Sequence, residues 1–167
     1  GQAETGAAAI GVSGAAFVAL RGTQRHGIEF AAEAVARGAA IVLAEAPLPD
    51  IAQLDVPVVE IDDLRGRLGD IAHRFYGRAS ESVRLIGVTG TNGKTSSVQM
   101  IAQALTDAGE RSGSIGTLGI GLVGQLEAGE RTTPDVIAVH RAIARMRAQG
   151  VARFGDGVEQ RALDRGA

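Results

Sequence analysis

Residues 87–96 read GVTGTNGKTS, with glycines at 87, 90 and 93 ahead of a Lys-Thr pair. Those residue types at that spacing suit the holding of a polyphosphate. Gly90 and Gly93 let the backbone approach phosphate oxygens, Lys94 spans toward the β and γ phosphates, and the Thr95 hydroxyl is a candidate ligand for Mg²⁺. The candidate set for a nucleotide such as ATP is therefore Gly90, Thr91, Asn92, Gly93, Lys94, Thr95 and Ser96, with Lys94 as the catalytic candidate. A strict Walker A pattern would place a glycine five positions before Gly93, where this chain has Val88. A tight glycine turn with an accidental Lys-Thr is the bland alternative. It loses weight because the motif joins an apolar run to an amphipathic one.

A loop of this kind has to be held between a buried strand and a helix. Residues 83–88 (VRLIGV) read as that strand, and residues 94–108 as a helix striped by Val98, Ile101, Ala102 and Leu105 and stopped by Gly109. Residues 114–122 (SIGTLGIGL) read as one further strand loosened by glycines. Thr133 as N-cap, Pro134 at N1 and Asp135 in the first turn then start a helix carrying Val136, Val139, Ile143 and Met146, stopped by Gly150.

Upstream, residues 16–20 (AFVAL) form an apolar strand that breaks into a loop holding Thr23, Gln24 and Arg25. By itself that is an ordinary solvated loop. Phe30, Ala31, Ala34 and Val35 mark a helix stopped by Gly38, and residues 40–43 return to a strand. Residues 56–61 (VPVVEI) add another strand, at an edge or near a strand start because of Pro57. Asp62 or Asp63 caps a helix with Leu64, Leu68, Ile71, Ala72 and Phe75 on one face and Gly77 at its end. Polar residues 78–81 make the best boundary.

The expected fold is α/β: a small amino-terminal α/β domain over residues 1–80, then the start of a P-loop-type parallel-sheet domain over residues 81–167, with strand 83–88 central. Composition agrees. Twenty-four glycines and 3% aromatics in 167 residues call for a core of Ala, Val, Ile and Leu and for many glycine turns. A net charge of −2 without a Lys/Arg block provides no footprint for nucleic acid or an anionic membrane. The absence of Cys removes disulfides and thiolate chemistry. Apolar runs are too short for membrane insertion, so a cytoplasmic protein is expected. His26, His73 and His140 are too scattered for a metal site, and each is expected at the surface or partly satisfied.

The GxTGTNGKT[ST] form of the loop resembles the signature of the Mur ligases and their folate-ligase and cyanophycin-synthetase relatives. Residues 132–135 (TTPD), FVALRG at 17–22, His26-Gly27 with Phe30, and the GA.IVL run at 38–43 resemble the Mur ligases that add the third residue to a UDP-muramoyl dipeptide. The resemblance implies an ATP-dependent amide ligase of peptidoglycan synthesis. Its substrates would be UDP-N-acetylmuramoyl-L-alanyl-D-glutamate and a diamino acid, meso-diaminopimelate or lysine, with ATP and Mg²⁺. It implies that the carboxylate is phosphorylated by ATP and the acyl phosphate is then attacked by the amine. It also implies that the amino-terminal domain binds the UDP end through Thr23, Gln24 and Arg25, and that Thr132 and Thr133 touch the muramoyl peptide. Capping alone would account for the Thr-Pro-Asp equally well on local grounds, and the two uses are compatible.

The two ends depart from the family pattern. Gap-free counting places Ala7, Ala8 and Ala9 where the family has a DSR tripeptide used in UDP binding. The family continues past the Thr-Pro-Asp helix into MEVSSHALDQGR, whose Glu helps to hold Mg²⁺; alignment on Ala162, Leu163 and Asp164 puts Gly157 at that Glu. The expectation is therefore a truncated, inactive portion of such an enzyme, altered by truncation or a frame change from near Gly150 and without the carboxy-terminal domain that selects the amino acid. A non-catalytic nucleotide-binding fragment and another P-loop ATP-binding protein are the alternatives. The oligomeric state is left open.

Overall fold

The computed structural model describes residues 14–50, 53–127, 135–151 and, as backbone, 153–156. Its contacts divide the chain into two compact units, Gly1–Arg67 and Leu68–Ala167. The division falls inside one helix.

In the first unit, strand β1 (Ala15–Ala19) leads through a 3-10 turn (Gly27–Phe30) into the short helix α1 (Ala31–Ala36), then β2 (Ala39–Glu45) and β3 (Val58–Ile61). The three strands pair in parallel in the order β1-β2-β3. The apolar runs account for this: Phe17, Ala19, Val42 and Ala44 turn one face of the sheet onto Ile28, Ala31 and Ala34. Small and β-branched side chains fill this core, as the scarcity of aromatics requires. Helix α2 (Leu64–Phe75) follows β3. Asp63 starts it, its carboxylate accepting from Gly66 N at 3.3 Å. Leu64, Leu68 and Ala72 are buried along it, whereas Phe75, expected on the apolar face, is 65% exposed and stacks edge-on against Tyr76.

The second unit has a five-stranded mixed sheet. After a 3-10 turn (Ala79–Ser82) come β4 (Arg84–Gly87), α3 (Lys94–Asp107), β5 (Ser112–Gly116), β6 (Gly119–Leu122), β7 (Gln125–Glu127), α4 (Val136–Ala148) and β8 (Arg153–Asp156). Sheet order is β4-β8-β5-β6-β7, with β4, β8 and β5 parallel and β6 and β7 added as antiparallel hairpins. Ile115, Leu122, Ala142, Ile143, Met146 and Val151 form its core.

Three expectations are corrected here. Residues 114–122 are not one strand: Thr117 and Leu118 form a two-residue turn between β5 and β6, with Gly116 opposite Gly119. Strand β4 is at the sheet edge among the described strands, because β8, from the stretch expected to diverge after Gly150, inserts between β4 and β5. Helix α4 is capped by Asp135 and not by Thr133, the Asp135 carboxylate accepting from Ala138 N at 2.7 Å. Two acceptable N-cap residues on either side of a proline left that choice open to the tertiary structure.

Candidate functional site

Residues 88–93 connect the carboxyl end of β4 to the amino end of α3. Open α/β sheets bind ligands at such strand ends. Gly90 has φ +144° and Gly93 φ +77°, both in the region that favours glycine, and Gly93 is the residue that begins α3. The first bond of α3 runs from Ser97 N to Gly93 O at 2.9 Å, so the amides of Lys94, Thr95 and Ser96 have no partner within the helix. Gly93 offers no side-chain cap, in contrast to Asp135 on α4. A helix that starts on a left-handed glycine turns its first amides and its positive dipole end outward, an arrangement suited to an anion. Lys94 Nζ donates to Gly90 O at 2.5 Å, folding the ammonium back over this loop. Thr91, Asn92, Gly93 and Ser96 are exposed and Lys94 and Thr95 half-buried, so the loop faces solvent and a ligand could reach it.

Three side-chain bonds fasten α3 to β5. Gln99 Nε2 donates to Ser114 Oγ at 2.9 Å, Ser112 Oγ donates to Ala102 O at 2.6 Å, and the Thr106 and Ser112 hydroxyls lie 2.7 Å apart, within hydrogen-bond distance. A fourth contact lies at the loop end, where Thr95 Oγ1 and Thr117 Oγ1 are 3.1 Å apart. Sequence reasoning missed Thr117. Its signal was the Gly-Thr-Leu-Gly at the end of an apolar run, which was absorbed into a single strand. The Thr95 hydroxyl, at the first turn of α3, is a hard oxygen donor of the kind Mg²⁺ takes, and the open loop amides fit the phosphates that would share the ion.

The other sequence candidates divide. Thr23, Gln24 and Arg25 lie exposed in a loop closed by an antiparallel bridge between Arg21 and His26 and by Gly22 N donating to Arg25 O at 2.9 Å. Any Cβ at Gly22 would sit 2.8 Å from that Arg25 oxygen, so the tight loop needs the glycine. Glu45, at the end of β2, braces it: its carboxylate accepts from Arg21 N at 2.8 Å and from Arg65 N at 3.1 Å, while Arg65 Nη2 donates to Arg21 O. His26 is buried with both ring nitrogens bonded, where a surface or partly satisfied histidine was expected. Its Nδ1 accepts from Ile28 N at 3.1 Å, so its Nε2 donates to Glu45 O at 2.7 Å. Both ring nitrogens are thereby used in structure. Thr132 and Thr133 lie outside the described residues, as do Ala7 to Ala9 and Gly157. Among the described residues, no three His, Cys, Asp or Glu side chains converge as a metal site.

Comparison with known proteins bears on both units. The Mur ligase family catalytic domain matches residues 4–76, and the Mur ligase middle domain matches residues 88–154. The chain belongs to the Mur ligase family. Similar Mur ligases include the UDP-N-acetylmuramoyl-L-alanyl-D-glutamate–2,6-diaminopimelate ligases of Xanthomonas oryzae pv. oryzae, 46% identical over 92% of this chain and 31% of that protein, and of Pseudomonas putida, 45% identical over 90% and 30%. A solved Mur ligase of the same name superposes with a TM-score of 0.72 at 30% identity, covering 92% of this chain and 31% of that one. A MurF ligase from Thermotoga maritima, solved with ADP, shares the fold at a TM-score of 0.59 and 18% identity, over 89% of this chain and 30% of that one. The chain spans about a third of the length of these Mur ligases.

Proposed function

We propose that this chain carries the UDP-substrate-binding and ATP-binding portions of a cytoplasmic ligase that adds a diamino acid to UDP-N-acetylmuramoyl-L-alanyl-D-glutamate in peptidoglycan synthesis. The diamino acid would be 2,6-diaminopimelate, the one in the names of the similar ligases. The observation that carries the reading is the start of α3: a helix opened by left-handed Gly93, with no side-chain cap, and followed at once by Lys94 and Thr95. The division at residues 80 and 81 is supported by the two family matches, which leave residues 77–87 between them.

In this reading the amides of residues 90–96 bind the phosphates and Lys94 leaves Gly90 O to neutralise charge at the γ-phosphate. Thr95 would hold Mg²⁺, which when bound spreads the negative charge of the triphosphate. Thr23, Gln24 and Arg25 would meet the uridine end, and Thr132 and Thr133 the muramoyl peptide. No covalent enzyme intermediate is needed, because positioning and charge neutralisation suffice for a phosphoryl transfer followed by amine attack.

Calorimetric titration tests the reading. Lys94→Ala should weaken Mg-ATP binding by about 2 to 4 kcal/mol, the range for removing a charge-assisted partner of an anion, with little change in thermal stability. These 167 residues alone should bind nucleotide without ligating an amino acid. A well-folded chain that binds ATP equally well without Lys94 would remove the main support.

A further inference from the structure

The face of α3 that meets β5 carries residues 95, 99, 102 and 106, a helical spacing, and the facing polar residues run Thr117, Ser114 and Ser112. The inner rungs of this seam are buried: Ser114 is 0% exposed and Ser112 2%. Their bonds are needed for packing, since a buried hydroxyl without a partner is costly. The outermost rung differs. Thr117 is exposed on the β5–β6 turn and Thr95 half-buried, so water could satisfy both hydroxyls and packing alone does not require their pairing. That rung also lies at the end of the seam next to the glycine loop, on the hydroxyl expected to take a cation.

A hydroxyl that gives a lone pair to a divalent cation keeps its proton and becomes a stronger donor, and it is held in place by an acceptor for that proton. We propose that Thr117 is the positioning residue of the cation site: its Oγ1 accepts the Thr95 proton, leaving the Thr95 oxygen free for Mg²⁺. The β5–β6 turn thereby becomes part of the nucleotide site, fixed at its base by the Gln99–Ser114 and Ser112–Ala102 bonds. This rests on the nucleotide reading above.

The test is a titration of Mg²⁺ into the chain in the presence of ATP, compared with ATP binding in its absence. Thr117→Val keeps the shape and removes the acceptor. It should lower the apparent Mg²⁺ affinity by about 10-fold to 100-fold, the usual cost of losing a partner behind a metal ligand, and leave Mg²⁺-free ATP binding unchanged. Thr117→Ser, which keeps the hydroxyl, should restore the Mg²⁺ dependence. Equal losses with Val and Ser, or a loss that appears equally without Mg²⁺, would assign Thr117 to the turn alone and overturn the proposal. So would wild-type Mg²⁺ affinity in Thr117→Val. The failure of the underlying reading looks different: a folded wild type that binds no ATP under either condition removes the nucleotide site and this proposal with it.

Discussion

At Gly93 a Cβ would meet no atom within 4 Å, yet φ is +77°, so the constraint is conformational. At Gly113, on β5, the reverse holds: φ is ordinary, but a Cβ would lie 2.8 Å from Gly121 O on β6 and 2.8 Å from the Met146 sulfur on α4. Gly113→Ala should therefore destabilise the second unit by about 1 to 3 kcal/mol, because the opposing oxygen belongs to a backbone that shifts at a cost. A urea melt measures this, and an unchanged midpoint would show that β6 gives way freely. From sequence, Gly90 and Gly93 were legible because a phosphate loop explains them, whereas Gly113, one residue ahead of the run read as a strand, drew no reading. Close approach of another backbone leaves no local signal. His26 was misplaced for a similar reason: its two acceptor and donor contacts reach one residue two positions away and another nineteen positions away.

Among the elements, α2 and α4 meet within the second unit through His73 and His140, whose rings sit edge to face with centroids 5.6 Å apart. Ser80 and Glu81 hold His73 from the 3-10 turn, at 3.0 and 3.2 Å. Burial, and then the neighbouring His73, hold the His140 imidazole below the usual histidine value of 6.5. Its folded pKa is depressed, so just below pH 6.5 the unfolded chain binds more protons than the folded one. The contribution of His140 to stability is therefore retained above that window and falls as pH drops through it. The difference in urea midpoint between wild type and His140→Gln should change in that direction between about pH 7.5 and about pH 5.5. A difference independent of pH would contradict the assignment. The helices themselves were readable from their stripes and glycine stops. Strand order was not: β8 enters between β4 and β5 through pairings that no local pattern encodes. The β5–β6 turn was hidden because its flanking glycines blur the alternation that would separate two strands.

Over the whole molecule, the α/β class, the three strands of the first unit and the loop between β4 and α3 followed from the sequence, because each depends on short apolar runs and on one glycine-rich motif with a physical purpose. The family followed from the same motif and is supported over both units. The contribution of Thr117 did not follow, since it arises where two elements meet, and Thr132 and Thr133 lie outside the described residues. No helix among the described residues is long and apolar enough to cross a membrane. The central claim is that nucleotide binds at the junction of β4 and α3. Amide chemical-shift mapping with Mg-ATP on isotope-labelled protein tests it most directly. The largest changes should fall on Gly90, Thr91, Asn92, Gly93, Lys94 and Thr95, with a smaller change at Thr117. Saturable shifts centred on another part of the chain, with residues 90–95 unmoved, would contradict it.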